Sequence, residues 1–280
     1  MSLYSTRLAA ALTSAALALG TLPASPATAQ PNAAAAPVPG RADYANLIQR
    51  APTILTATIT RAREIDRDQA PGLAPGFRRL LVRAEVDGVI AARSAVPGTI
   101  SYLVDVPETA RGRAPKLKGK RVQLFLGREQ GPGEFALAHR YGQQPWSAER
   151  EEIVRRLVRE QADPKVRAMR PRAITSAFHV EGSLPGESES QIFVDTEAGT
   201  PISLVVLNRP GERPRFAVAT GDIIDSAAEA PTPGSLTALL LACGLPQALP
   251  EDVTVSGDHE ALARDYALVR TSLGICDRNF

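Results

Sequence analysis

Between residues 53 and 141, short strand-like runs alternate with breaks rich in proline and glycine. The runs lie near residues 53–61, 78–91, 98–106, 120–127 and 134–141. Breaks of this composition separate strands. Five strands in about 100 residues favour a small closed or half-closed barrel, because closure removes exposed strand edges. We therefore expect a β-barrel-like domain over residues 42–146.

The form of this barrel that we expect first resembles an oligonucleotide/oligosaccharide-binding (OB) barrel. That fold has five strands and a helix between the third and fourth of them. The corresponding segment here, between residues 106 and 120, is rich in proline and glycine. It does not have the composition of a helix, which argues against the OB-like form of the barrel.

The remainder of the chain predicts a second, mixed region, and the whole chain is predicted to be α+β and rich in strands. A connecting helix over residues 147–163 is indicated by Ser147 as N-cap and by acidic residues in its first turn. Residues 173–280 then read as an α+β domain. It starts with an antiparallel meander at 173–181, 189–195, 201–208 and 214–219, and helices follow at 222–228, 236–242 and from Asp258.

The distribution of charged residues also divides the chain into two halves near residue 163. Residues 41–163 carry 21 Lys and Arg against 15 Asp and Glu, whereas residues 164–280 carry 10 against 15. This asymmetry supports a division into two domains. The opposite charges of the two halves favour docking of one half on the other, or the attraction of partner molecules of opposite charge.

Residues 1–29 read as a secretory signal peptide. Arg7 precedes an apolar core over residues 8–22, and Ala27, Thr28 and Ala29 offer the small-x-small pattern of a cleavage site. Residues 30–41 form an Ala/Pro-rich linker. The apolar core is shorter than a membrane-spanning helix. We therefore expect a periplasmic or secreted protein with no transmembrane anchor.

The chain contains two cysteines, Cys243 and Cys276. In an oxidising compartment, an even pair is most simply a disulfide. Neither residue belongs to a C-x-x-C motif or has a histidine beside it, which argues against a reactive thiol. We expect a Cys243–Cys276 disulfide that joins the two C-terminal helices.

Three histidines limit the catalytic chemistry that can be proposed. His139 lies in a run in which alternate residues share one strand face, His179 lies in a strand near Ser176, and His259 lies at a helix start. No G-x-S-x-G, H-E-x-x-H or clustered Cys/His motif is present. We assign no catalytic residue, no metal site and no cofactor.

Asp195 follows a hydrophobic run and precedes Thr196, which resembles the hydrophobic-Asp-Thr motif of retroviral-type aspartic proteases. The next residue in that motif is Gly, whereas Glu197 occupies the position here. A second copy of the motif is absent from the sequence. We therefore interpret Asp195 as part of a hairpin turn.

The densest charge cluster contains six cations in eleven residues: Arg111, Arg113, Lys116, Lys118, Lys120 and Arg121. A solvated loop is the simplest interpretation of such a run. The alternative is a patch that meets an anionic polymer or lipid headgroups. No aromatic residues alternate with these cations, and the chain is predicted to be exported, so we do not expect nucleic acid as a partner.

Three segments are similar to uncharacterised exported proteins of Gram-negative bacteria: YLVDVP at 102–107, QIFVDT at 191–196 and LLLACGLP at 239–246. The resemblance implies a periplasmic location and carries no known activity or site residues.

The function that we expect is a non-enzymatic binding or interaction module of the periplasm. Its expected partner is an anionic envelope component or another periplasmic protein. The alternative is a hydrolase of an envelope polymer or peptide, in which Asp105 or Asp195 and a histidine share a cleft between domains.

Overall fold

A computed structural model describes residues 37–220 and 229–280. The predicted leader at 1–29 and the predicted helix at 222–228 lie outside the described residues. The first half contains α1 (Arg41–Arg50), β1 (Thr53–Glu64), β2 (Phe77–Ala91), β3 (Thr99–Pro107), β4 (Arg121–Gly131), β5 (Glu134–Leu137) and β6 (Gln143–Pro145). The second half contains α2 (Ala148–Ala162), α3 (Pro164–Arg167), β7 (Pro171–Glu181), β8 (Ser188–Thr196), β9 (Ile202–Asn208), β10 (Arg215–Thr220), α4 (Leu236–Gly244), β11 (Thr254–Ser256) and α5 (His259–Leu273).

The first sheet is a closed five-stranded barrel. Its strands follow the order β1-β2-β3-β5-β4, and β4 pairs with β1 to complete the circle. The pairs are antiparallel except for β3 with β5, which is parallel. No helix or strand lies between β3 and β4, as the composition of that segment predicted. The barrel prediction and the strand-rich α+β class are confirmed.

Alternation along the strands fills the barrel. Leu55, Ala57 and Ile59 of β1 point inward together with alternate residues of the other strands, and all are almost fully buried. Residues on the opposite face of the same strands, Ile54 and Phe125, pack into a separate cluster with α1, α2 and α4. This second cluster joins the barrel to the helices.

Helix α1 was not predicted, and it begins at Arg41, the last residue of the predicted linker. Gly40 is its N-cap, and Asp43 at the third position accepts the Gly40 N–H at 2.8 Å. A Cβ at Gly40 would lie 1.9 Å from the carbonyl oxygen of Asp277, so only glycine fits there. Leu47 and Ile48 are buried in the cluster that α1 shares with α2 and α4.

The second sheet has the order β10-β9-β8-β7-β11. The first four strands form the predicted antiparallel meander, and the short β11 adds a parallel strand beside β7 that was not predicted. α4 and α5 cover one face of this sheet, where Ile192, Leu204 and Tyr266 lie in its core. Ser235 caps α4 and Asp258 caps α5.

None of the helices in the described ranges is both long and apolar enough to cross a membrane. The boundary that we predict between two domains, at residues 163–173, stays a prediction.

Candidate functional site

The barrel is incompletely paired along one seam. β3 pairs with β2 over its whole length, from Thr99 to Pro107. On its other side, β3 pairs with β5 only at Ser101 and Tyr102. Residues 103–107 therefore have no strand partner on that side among the described residues. Leu103, Val104 and Asp105 of this stretch line a groove of about 500 Å³.

The floor of this groove is apolar and accessible. Leu103 is 49% exposed and Leu81 is 37% exposed, although both lie in the middle of barrel strands. Ala136 and Leu137 of β5 form the opposite wall. A single exposed aliphatic side chain is common, but adjacent ones that form a patch inside a groove mark a binding surface. The groove thus combines an open strand edge with exposed aliphatic side chains.

One end of the groove carries an ordered ion pair. Arg79 donates from Nε to Oδ1 of Asp105 at 2.7 Å and from Nη2 to Oδ2 at 2.8 Å. The hydrogen bond to Asp105 raises the pKa of Arg79, so the guanidinium stays charged. Bidentate geometry of this kind fixes both side chains. Asp105, which we considered as a hydrolytic carboxylate, is thus already paired with Arg79 of the neighbouring strand β2.

The other end is aromatic and basic. His139 stacks on Phe280 with ring centres 5.5 Å apart, and Tyr141 lies 4.6 Å from the same Phe280 ring. Burial lowers the pKa of His139, and the nearby charges of Arg50 and Arg140 lower it further. The histidine therefore favours its neutral form. It lies in the turn after β5, because the strand ends at Leu137 and not at residue 141 as predicted.

Tyr102 lies beneath the groove and is 2% exposed. Its hydroxyl donates to Oε1 of Gln143 at 2.7 Å. Burial raises its pKa far above the ordinary value, so the phenol remains protonated. Tyr102 thus supplies a rigid, neutral support for the strand edge beside it.

The six predicted cations, Arg111, Arg113, Lys116, Lys118, Lys120 and Arg121, are all exposed. The first five lie in the loop between β3 and β4, and none of these five forms an ion pair with a described residue. Arg121 differs, because it begins β4, pairs with Asp87 at 3.1 Å and lies 3.9 Å above the Trp146 ring. The cluster is therefore a five-residue basic loop (Arg111, Arg113, Lys116, Lys118, Lys120) next to a separately anchored arginine.

The predicted disulfide is present between Cys243 in α4 and Cys276 after α5. Both cysteines pack against the cluster that joins α1, α2 and α4. The bond therefore has a second role besides joining the two helices that cover the second sheet. It holds the segment after α5 against α4, within the cluster that also contains α1.

Of the histidines and acids that we considered for catalysis, Asp105 and His139 both line the barrel groove, but no hydrogen bond or ion pair between described residues joins them. Asp195 is exposed at the end of β8, and His139 and His259 contact no carboxylate in the described part of the chain. His179 alone of the three has one nearby: its Nδ1 lies 3.7 Å from Oδ2 of Asp265. No set of three or more His, Cys, Asp and Glu within the described ranges is arranged to hold a metal ion.

Of the groove residues, sequence analysis named Asp105 and His139 but not the aliphatic floor, although the pattern contained one indication of it. A strand with one buried face alternates apolar and polar residues. The pairs Leu80–Leu81 and Leu103–Val104 break that alternation, because Leu81 and Leu103 place aliphatic groups on the outer face. No protein-family model and no curated protein matches this chain.

Proposed function

We propose that this protein is an exported, periplasmic binding module without catalytic activity, and that its barrel groove holds an extended segment of another exported protein. The observation that carries the proposal is the unpaired edge of β3 over residues 103–107. An extended peptide can add to such an edge by main-chain hydrogen bonds, while pockets on the surface select its side chains.

The groove chemistry indicates which peptides fit. Leu81 and Leu103 offer aliphatic contact at its centre. At its ends, the Arg79–Asp105 pair and Arg140 offer charged and polar contacts. We expect a strand that presents aliphatic side chains to the floor, with polar residues on either side. The export part of the proposal is supported by the leader-like sequence and by the Cys243–Cys276 pair.

A display library of random peptides, selected on the oxidised full chain, tests the peptide proposal. We expect selected peptides to share alternating aliphatic positions. Leu103→Asp is expected to weaken them at least about tenfold, because it places a charge in the apolar floor. Val89→Asp is the matched control, since Val89 is 45% exposed on the same barrel and does not line the groove. Equal weakening by both variants, or no enrichment, would reject the proposal.

A second candidate function is attachment to an anionic surface through the basic loop. It is favoured by the five exposed cations that have no ion-pair partner among the described residues. Co-sedimentation with anionic vesicles, compared with zwitterionic vesicles, tests it. Charge reversal of the five residues should abolish vesicle binding, and raised salt should weaken it. Binding that survives charge reversal would remove this candidate.

The hydrolase alternative has no comparable support. The only serine that contacts a histidine and a carboxylate in the described residues is Ser190, which is fully buried and donates its hydroxyl hydrogen to Asp265. A nucleophile must reach its substrate and pass its proton to a base. Ser190 does not meet the first condition, because it is fully buried.

A further inference from the structure

The barrel groove has one closed end and one open end. β3 and β5 run parallel and pair only at Ser101 with Glu134 and at Tyr102 with Phe135. Beyond this pairing the two strands separate, and the groove lies between them. A peptide strand added along residues 103–107 therefore meets β5 at the closed end, so it has to end there or turn away from the barrel.

The backbone of β3 offers hydrogen-bonding groups to such a strand. The Ser101 N–H points toward β5, because it donates to the carbonyl oxygen of Gly133 at 2.8 Å. Alternate residues of a strand direct their backbone groups to the same side. The N–H of Asp105 and the carbonyl oxygens of Leu103 and Asp105 consequently face the groove, where no described strand pairs with them.

The closed end of the groove is acidic. Four charged residues line the groove, and two of them, Arg79 and Asp105, neutralise each other. Glu134 lies at the closed end, beside Ser101 in the strand register. Its exposed side chain makes no hydrogen bond or ion pair with a described residue. The closed end therefore carries an unpaired negative charge.

The open end is basic, because Arg140 lies there. Its Cζ is 5.5 Å from the ring centre of Phe77 and 5.0 Å from that of Tyr141. Phe77 pairs with Pro107, the last residue of β3, which places Arg140 toward the open end. Arg140 makes no ion pair within the described ranges. The stretch from Ser101 to Pro107 separates the two charges by about 20 Å along the strand, at about 3.3 Å per residue.

We propose that the groove captures the free amino terminus of an extended segment, which runs parallel to β3 from the closed end to the open end. This inference rests on the proposed peptide-binding function and adds the terminus and the direction. The α-ammonium group pairs with Glu134, and an acidic side chain about five residues further along pairs with Arg140. The reverse direction brings a carboxyl terminus to Glu134, where like charges repel.

The chemistry of the groove also defines the class of partner. Removal of a leader peptide gives an exported protein a new free amino terminus. The partner is therefore the amino-terminal segment of a processed exported protein. Its aliphatic side chains lie at alternate positions, because only every second residue of a strand faces Leu81 and Leu103.

An amidated hexapeptide library, randomised at every position, tests the proposal by affinity selection on the oxidised full chain. The library is prepared with free amino termini and, as the matched control, with acetylated ones. We expect the free form to be enriched at least about tenfold over the acetylated form, because acetylation removes the charge that pairs with Glu134. Enriched peptides should carry Asp or Glu at the fifth or sixth position.

The outcomes of this selection separate the inference from the function on which it rests. Equal enrichment of the two forms, abolished in both by Leu103→Asp, would keep the peptide-binding function and overturn the capture of an amino terminus. No enrichment of either form, or enrichment that Leu103→Asp leaves unchanged, would reject both.

Matched variants locate the amino terminus. Glu134→Gln is expected to weaken a selected peptide with a free amino terminus about tenfold and to leave its acetylated form unchanged. Glu85→Gln is the control, because Glu85 is exposed on β2 of the same barrel and does not line the groove. Similar weakening by both variants would show a non-specific charge effect and overturn the assigned position.

Two further measurements test the direction of the bound strand. Selection on Arg140→Glu should replace the acidic residues at the last positions by Lys or Arg, while the free amino terminus is still required. A nitroxide on the sixth residue of a selected peptide should broaden the amide resonance of Val106 more than that of Ser101. Stronger broadening at Ser101, or unchanged preferences in Arg140→Glu, would overturn the parallel direction.

Discussion

The carboxylate of Asp43 accepts the backbone N–H of Asn279, at 3.1 Å from Oδ1 and 3.0 Å from Oδ2. The two residues are 236 positions apart, and Asp43 is fully buried. In the reverse direction, the carboxylate of Asp277 accepts the N–H groups of Arg41 and Ala42 at 2.8 Å each. The segment after α5 thus caps α1, and α1 in turn fixes the segment.

Asp43→Ala is expected to lower the free energy of unfolding by about 2 kcal/mol, because backbone donors at Gly40, Asn279 and Phe280 lose a shared acceptor. Urea denaturation followed by circular dichroism measures the loss. Asp43→Asn keeps one oxygen acceptor and should lose less. A change below about 0.5 kcal/mol in Asp43→Ala would mean that these contacts do not hold the two segments together.

Reduction of Cys243–Cys276 is expected to lower the free energy of unfolding by about 3 to 4 kcal/mol, from the loop entropy of a bond between residues 33 positions apart. Denaturation with and without reductant measures it, and the Cys243→Ala/Cys276→Ala variant controls for reductant effects. The disulfide and Asp43 hold the same segment. Asp43→Ala should therefore lower the free energy of unfolding by less in the reduced protein than in the oxidised one. If the effects of reduction and of Asp43→Ala on this free energy simply add, the account is contradicted.

Phe125→Ala is expected to lower the free energy of unfolding by about 3 to 5 kcal/mol, because Phe125 is fully buried where the barrel meets α1 and α2. Leu103→Ala, on the same barrel but 49% exposed, should change it by less than about 0.5 kcal/mol. Urea denaturation of both variants tests the contrast. Equal losses would show that Leu103 serves packing rather than the groove.

The unfolding free energy should depend on pH through Glu151. Its pKa is lowered from the ordinary value of 4.5, first by the hydrogen bond from Trp146 Nε1 and also by Arg155. A depressed folded pKa stabilises the fold above 4.5, and this contribution is lost as the pH falls through the folded value. Glu151→Gln should thus be less stable than the parent at pH 7, with a difference that shrinks in acid.

Glu149→Gln is the control for that titration, since Glu149 is exposed in the same helical turn and no hydrogen bond to its side chain is seen among the described residues. It should show little difference at any pH. A Glu151→Gln difference that stays constant from pH 7 to pH 3 would contradict the assignment.

The elements that sequence predicted well are those with a strong local pattern. The barrel strands alternate, and Ser147 caps its helix as predicted. Helix α1 was missed because its ten residues follow an Ala/Pro-rich tether, although Asp43 three residues after Gly40 is a capping pattern. The three-residue β11 was missed because its pairing with β7 depends on contacts remote in sequence.

The candidate sites show the same contrast between what a local sequence pattern predicts and what depends on contacts remote in sequence. The cysteine pair could be predicted because composition and compartment leave few alternatives. The groove could not, because it depends on where the pairing of β3 with β5 ends. The cluster of His179, Ser190 and Asp265 also could not, because its residues come from three elements and carry no spacing motif. Their juxtaposition is a product of topology alone.

Amide hydrogen exchange of the oxidised full chain, with and without a selected peptide, tests the central claim most directly. Peptide added to the β3 edge should slow exchange at backbone amides within residues 103–106 and leave the second sheet unchanged. Slowed exchange confined to the basic loop or to the second sheet, with residues 103–107 unaffected, would contradict the proposed binding edge.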